Sequence, residues 1–400
     1  MSGGESEAPL IYIIAGEPSG DLLGGRLMAA LKEETGGRVR FAGVGGEAMT
    51  AEGLASLFDL GDIAVMGLVE VLPRIPMVLR RVRQTVADIR MLRPAAVVTI
   101  DSWGFTGRVA RAIREGGPPT VQIHYVAPMV WAWREHRAAH LAQVVDHLMT
   151  LLPNEPPYFI AHGLATTHVG HPVIESGADR GDGPAFRARH GIDPTAPLVC
   201  LLPGSRRGET SRLLPVFRQV VEALKRGRPG LAVVVPTVAT VAEPVRAAVA
   251  GWPVPVAVVQ GAAERYDAFA AADAALAASG TVALELALAE VPTVITYRVA
   301  PLTAWLFRRV ARIRYANLIN LILDREVVPE LIQERCRPDL LAEAVTRLLD
   351  DGSARATQRD GVREALATLG QAGDSPSRRA ARLVLEEVRK KEVEAVDQPS

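Results

Sequence analysis

Little in this 400-residue chain suggests a metal centre, a redox centre or a membrane span. There are only two cysteines, Cys200 and Cys336, and their separation matches neither a zinc-ligand nor a C-x-x-C spacing. They read as reduced thiols, as in a reducing cytosol. Aromatic residues make up only 5% of the chain. No uncharged apolar run reaches the roughly 18 residues that a membrane helix needs. The opening stretch, MSGGESEAPL, is polar and acidic, so it is not expected to be a secretory signal. Neither sign of charge prevails: 45 Lys and Arg balance 45 Asp and Glu. No global field therefore draws the chain to nucleic acid, and none is expected as a partner. The G-x-G-x-x-G fingerprint is missing too, which argues against a dinucleotide cofactor. No cofactor and no metal are expected.

What is present is alternation. Short apolar runs (LIYIIAG, VRFAGVG, PAAVVTID, PTVQIHYV and HLMTLLP) punctuate the first half, with longer amphipathic stretches between them. PLVCLLPGS, LAVVVPT, VPVAVVQ, DAALAASG and PTVITYR do the same in the second half. Near-continuous apolar strands separated by helices predict α/β architecture, with parallel sheets covered on both faces. The polar, Gly-rich stretch at 175–191 reads as an interdomain linker. The expectation is two Rossmann-like domains, 8–178 and 190–365, with a cleft between them, followed by C-terminal helices over 366–395. Those helices could pack on their own first domain or on a neighbour's, so a homodimer stays open.

In such sheets, ligands bind beyond the carboxyl ends of the strands, and the loops there carry the informative residues. After the first strand comes GEPSGD, with Glu17, Ser19 and Asp21 around two glycines. Ser19 or Asp21 can cap the following helix. Glu17 would repel a pyrophosphate, so this loop suits a sugar hydroxyl better than a phosphate. Asp101 ends the apolar run PAAVVTID, which places it at a cleft rim as a partly desolvated carboxylate suited to general-base work. His124, Tyr125 and two tryptophans follow another strand, where sugar stacking, acyl contact and ordinary packing are all open.

In the second half, LLPGSRRGE offers Ser205 and Arg206 for a diphosphate, with Glu209 a turn later. ASGTVALELAL places Ser279, Gly280 and Thr281 before a helix whose N-terminus can hold phosphate. Glu285, one turn on, could take the two hydroxyls of a ribose. Asn317 and Asn320 lie among apolar residues, one suited to capping and one to reaching the cleft. The pattern pairs an acidic site with a phosphate-friendly one, as a transfer from an activated nucleotide sugar to a hydroxyl acceptor requires. With no metal aspartate pair, leaving-group charge would fall to Arg206 and helix N-termini.

AGEPSGDLLGGRL, VMGLVEVLPR, VWAWREHR, LLPGSRRGE, ASGTVALELAL and NLILDREVVPELIQ, in that order, resemble the signatures of the lipid-A-disaccharide synthase family over residues 10 to 350. The resemblance implies a GT-B glycosyltransferase, inverting and metal-independent. It implies transfer of 2,3-diacylglucosamine from its UDP derivative to 2,3-diacylglucosamine 1-phosphate, giving a β(1→6) disaccharide and UDP. Matched position by position, Asp101 is the implied base and Glu17 its acidic companion. Ser19, Ser205, Arg206, Glu209, Ser279, Gly280, Thr281, Glu285 and Asn320 fall on substrate-binding segments. The family pattern Asp-x-Pro-Asp-Phe departs here to Asp101-Ser102-Trp103-Gly104-Phe105, which loses the second carboxylate. Pro18 stands where the family has Ala or Ser, and should stiffen the loop.

A diacylated substrate lives in a bilayer. The segment VMGLVEVLPRIPMVLRRVR, apolar and ending in Arg80, Arg81 and Arg83, is therefore expected either to touch the membrane or to form a core helix. The expected location is cytoplasmic, peripherally bound to the inner face of the inner membrane. Rival readings are a UDP-sugar epimerase or another UDP-sugar transferase, a non-catalytic nucleotide-sugar sensor and, least favoured, a dehydrogenase.

Overall fold

The first apolar run folds as β1 (Leu10–Ala15) and is buried on both faces. Ile11, Ile13 and Ala15 pack on one side with Leu27, Leu31 and, from the far end of the chain, Ala380 and Val384. Tyr12 and Ile14 pack on the other with Val82, Val86, Ile89 and Val109. A strand with no solvent face has to be apolar throughout, which is why the run does not alternate. The computed structural model describes residues 8–63, 75–129, 136–299 and 314–397.

Two compact units result, Met1–Pro172 with Ala372–Ser400, and Val173–Gln371. The first holds β1, β2 (Arg40–Val44), β3 (Ala96–Ile100), β4 (Val121–Tyr125), β5 (His147–Thr150) and β6 (Ala165–His168). All pair in parallel, in the order β2-β1-β3-β4-β5-β6. The second holds β7 (Leu198–Leu202), β8 (Ala232–Thr237), β9 (Val256–Gln260), β10 (Ala274–Ala278), β11 (Thr293–Tyr297) and β12 (Glu330–Ile332). They too are parallel, ordered β12-β11-β10-β7-β8-β9. The sequence suggested five strands in each half. The sixth is an edge strand both times, β6 in one sheet and β12 in the other.

The stretch read as a linker is ordered structure instead. Helix Gly183–Arg189 is capped by Asp182, whose side chain accepts from the Ala185 N–H at 2.9 Å. Phe186 within it is fully buried. Arg189 pairs with Asp267 at 2.6 Å, which fastens this segment to the second unit. After helices Pro338–Asp350 and Gly352–Leu366, the chain returns to the first unit through helix Pro376–Asp397. Ala380, Ala381 and Val384 there are fully buried, and Arg378 and Arg382 pair with Glu34 at 3.0 Å each. The last helix thus packs on its own first unit.

Three buried polar groups of the first unit generate predictions. Asp21 does not cap its own helix. Its carboxylate accepts the N–H groups of Gly46 (2.7 Å), Ala48 (2.9 Å) and Met49 (3.1 Å), closing the start of helix Glu47–Ala51. Replacing a carboxylate that satisfies several orphan donors costs about 2 kcal/mol or more. Asp21→Ala should therefore lower the urea midpoint of the first unit by a corresponding amount. His124 is 1% exposed, and burial holds its imidazole down at about 3; burial likewise holds His171 at about 4. Both folded values lie below the unfolded one, so the unfolded chain takes up protons first as pH falls. Stability from these groups is full above pH 6.5 and declines below it by about 1.4 kcal/mol per pH unit for each histidine. Urea titrations at pH 7 and pH 5 should show this loss, and His124→Gln should flatten the slope.

Candidate active site

In the first sheet, β2 lies on one side of β1 and β3 on the other, so the chain leaves the β1–β3 pair in opposite directions. Such a reversal opens a crevice at the carboxyl ends of the two strands. The loops bordering it are Gly16–Glu17, which follows β1, and Asp101–Ser102, which follows β3. Pro18 opens the helix after the first loop (Pro18–Thr35), where its fixed φ fits and its missing N–H costs nothing. Glu17 occupies the N-cap position without a side-chain capping bond, which leaves its carboxylate turned to other partners. Ser19 is exposed on the first turn.

Asp101 and Ser102 both adopt left-handed backbone, with φ of 51° and 44°. Non-glycine residues in this region cost about 1–3 kcal/mol each and persist only where their surroundings over-determine them. Here the surroundings do so. The Asp101 N–H donates to Tyr125 O at 2.9 Å, and the Thr106 hydroxyl donates to Asp101 O at 2.7 Å and Ser102 O at 3.1 Å. The Ser102 N–H donates to Asp101 Oδ1 at 2.7 Å, while the Ser102 hydroxyl donates to Glu17 Oε1 at 3.2 Å. A Cβ at Gly16 would lie 2.2 Å from the Ser102 Cβ, so only glycine lets the two loops meet. The two carboxylates singled out in the sequence are thereby joined through one serine, which the sequence reading had passed over.

His124 and Tyr125 do not face this crevice; both are buried in β4. His124 Nδ1 meets the Thr99 hydroxyl at 2.8 Å, and the Trp103 ring stands edge-on to it with centroids 4.9 Å apart. Packing is what these aromatics do. Trp131, Trp133 and Arg134 lie outside the described residues. Gly104, in place of the second carboxylate, sits in the first turn of helix Trp103–Gly116.

The second sheet repeats the device. β8 and β10 flank β7, and the crevice at its reversal is bordered by the loops after β7 and β10. Gly204 has φ of 100°, and a Cβ there would meet the Glu209 carboxylate at 2.5 Å. That close approach lets Glu209 Oε2 accept the N–H groups of Ser205 (3.2 Å) and Arg206 (3.3 Å). Its Oε1 takes Arg206 Nη1 at 3.0 Å and the Tyr297 hydroxyl at 3.1 Å. Glu209, expected on a substrate-binding segment, also braces the loop from within. The Arg206 side chain remains 71% exposed, and Ser205 is exposed beside it.

After β10, Gly280 and Thr281 are exposed, and Thr281 makes no side-chain cap to helix Val282–Leu288. Glu285 Oε1 receives Arg265 Nη2 at 2.9 Å and the Tyr266 hydroxyl at 3.2 Å. Burial pushes its carboxyl up, against the pull of Arg265. Asn317 caps helix Leu318–Leu323 through Oδ1, which accepts the Ile319 N–H at 2.8 Å. Asn320 is fully buried and spends all its bonds internally. Oδ1 accepts the N–H groups of Val327 and Val328, and Nδ2 donates to Val328 O and to Glu330 Oε1 at 2.8 Å. Glu330 in turn accepts the Ala316 and Asn317 N–H groups, and Ala316 O accepts the Ser279 hydroxyl at 3.2 Å. Through these bonds Asn320, expected on a substrate-binding segment, orders the wall behind Ser279. Arg265, Tyr266, Tyr297 and Glu330 went unnoticed in the sequence because each lies between 10 and 88 residues from the partner that gives it meaning.

Comparison with known proteins bears on the fold and on the family. A family model described as lipid-A-disaccharide synthetase matches residues 11–384. A lipid-A-disaccharide synthase from Paramagnetospirillum magneticum is 59% identical over 382 residues, covering 95% of this chain and 98% of that one. One from Rhodospirillum centenum is 57% identical over 382 residues, covering 96% and 95%. Among solved structures, Staphylococcus aureus MnaA with UDP superposes with a TM-score of 0.62 at 13% identity, covering 98% of this chain and 99% of that one. Acinetobacter baumannii MurG gives 0.58 at 16% identity, covering 96% and 99%. At such identities the structural likeness bears on fold alone, which is GT-B with two Rossmann-like units. The length and identity of the sequence matches carry the rest: the chain belongs to the lipid-A-disaccharide synthase family.

Proposed function

We propose that this glycosyltransferase joins UDP-2,3-diacylglucosamine to 2,3-diacylglucosamine 1-phosphate, with the chemistry divided between the two units as their loops are charged. The observation that carries the reading is the Asp101–Ser102–Glu17 arrangement at the reversal of the first sheet. Asp101 takes the proton of the acceptor 6-hydroxyl while that oxygen attacks the anomeric carbon of the donor sugar. The bond from that carbon to the diphosphate breaks, and its electron pair leaves with UDP. One displacement at the anomeric carbon inverts it, as a β linkage from an α-linked donor requires. Glu17 orients the acceptor through a second hydroxyl, with Ser19 at its side. The diphosphate is met by the exposed Arg206 guanidinium, the Ser205 hydroxyl and the open N–H groups of Gly280 and Thr281. Ser279 frames that pocket, and Glu285 takes the ribose hydroxyls.

Asp101→Asn keeps the side-chain shape and the acceptor for the Ser102 N–H but removes the base. It should lower acceptor-dependent UDP release by roughly 10²- to 10⁴-fold while leaving UDP affinity near wild type. UDP release that needs no acceptor, in wild-type protein, would favour hydrolase or epimerase chemistry instead.

The acylated substrates also call for contact with a bilayer. No helix among the described residues is long and apolar enough to cross a membrane. Helix Ile75–Leu92 begins with exposed Ile75, Met77 and Leu79, followed by exposed Arg80 and Arg83. Deeper in the same helix, Val82, Val86 and Ile89 face the core. Arg81 is set apart, since it pairs with Asp62 and lies over the Phe58 ring. Residues 64–74, the rest of the expected membrane segment, lie outside the described residues. We place the first turn of this helix in the interface of the inner membrane, on its cytoplasmic side, with the two arginines against anionic headgroups. The double variant Met77→Asp/Leu79→Asp should lose most of its co-sedimentation with phosphatidylglycerol-containing vesicles, with UDP affinity unchanged.

A further inference from the structure

Ser102 combines features that a helix-starting serine does not need. It makes no capping bond to the helix it precedes. It sits in left-handed backbone directly after another such residue, Asp101, although glycine would fit both positions better. Its turn does not need its side chain. Phe105 N–H donates to Ser102 O at 2.9 Å, Thr106 holds the same oxygen and Asp101 O through its hydroxyl, and Asp101 N–H is fixed to Tyr125 O. What the side chain does is reach across 85 residues of sequence to Glu17, while its own N–H holds Asp101. Gly16 leaves room for that reach, since any Cβ there would strike Ser102 Cβ and Oγ, at 2.2 and 2.5 Å.

We propose that Ser102 is a positioning residue for the transfer reaction, holding Asp101 with its N–H and Glu17 with its hydroxyl so that both carboxylates meet the acceptor sugar in one fixed arrangement. The proposal rests on the reading of Asp101 and Glu17 given above. The αL backbone is what makes the double grip geometrically accessible: it turns the Ser102 N–H back towards the Asp101 side chain and its Cβ towards the β1 loop. A misplacement of about 1 Å at a reacting group costs up to roughly a hundredfold in rate. A serine joining base and orienting group is placed to prevent it.

The test uses full-length protein and three variants. Ser102→Gly suits the αL backbone and removes the side chain with its hydroxyl, so it should fold at least as stably as wild type by urea titration. It should lower kcat roughly tenfold to a hundredfold, with the KM for the UDP-sugar unchanged. Ser102→Asn tolerates the same backbone and restores a donor, and should recover part of that loss. In a Glu17→Gln background, Ser102→Gly should have almost no further effect, because its effect runs through Glu17. A wild-type kcat in Ser102→Gly, or a loss that multiplies with that of Glu17→Gln, would overturn the proposal. A readout without substrate separates this from the broader reading: the Glu17 side-chain carboxyl ¹³C resonance should move between wild type and Ser102→Gly. An unmoved resonance overturns the grip even where transfer activity is confirmed, and a moved one supports it even where the assigned substrates fail.

Discussion

The pairing of β1 with β3, and of β7 with β10, is the constraint on which the rest of this protein depends. In a parallel sheet every connection must cross over through a helix, and these crossovers keep one hand. A chain that starts inside its sheet, builds outward on one side and then returns to build on the other leaves two neighbouring strands whose following loops diverge. In the first unit that gap sets Gly16–Glu17 beside Asp101–Ser102. In the second it sets Gly204–Arg206 beside Ser279–Thr281. Neither site is made by a local motif alone.

Electrostatics then distinguishes two sites of one geometry. The first unit presents carboxylates, held by a serine and by backbone N–H groups. The second unit also contains carboxylates, Glu209 and Glu285, yet each carries an arginine, Arg206 at 3.0 Å and Arg265 at 2.9 Å. Negative charge close to a prospective diphosphate is thus offset within the unit before a ligand arrives. A chain whose 45 basic and 45 acidic residues cancel overall still places the two signs locally.

Reading strands from the sequence succeeded where both faces are buried and failed at the edges. β6 is the segment ATTH, half exposed and rich in threonine, and β12 is only three residues long. An edge strand needs neither length nor a continuous apolar run, because one side has no neighbour and its faces are less covered. The polar stretch at 175–191 misled for the opposite reason. Its glycines and charges look like a tether, but a buried aromatic, Phe186, a cap, Asp182, and the Arg189–Asp267 pair dock a two-turn helix. Asp21 and Asn320 show the same limit in side chains. Each reads as a candidate ligand contact or cap of its own helix, and each spends its bonds on a neighbouring segment that sequence proximity does not reveal.

The sequence by itself determined the architecture and the chemical character of the loops. Apolar strands alternating with amphipathic helices permit only covered parallel sheets, and residues just past such strands must lie at their carboxyl ends. It also determined that Glu17 and Asp101 would stand in loops of the first half, and Arg206 in one of the second, since these positions follow directly from strand ends. Only the tertiary structure decided which partners within the protein also hold each of these groups. Glu209, Glu285 and Asn320 are engaged by partners 3 to 88 residues away, and Ser102 gains its role from Glu17 across 85. Hydrogen bonds act over about 3 Å whatever the separation along the chain. Their pairing is set by the fold that brings the segments together, and no local pattern of residue types encodes it.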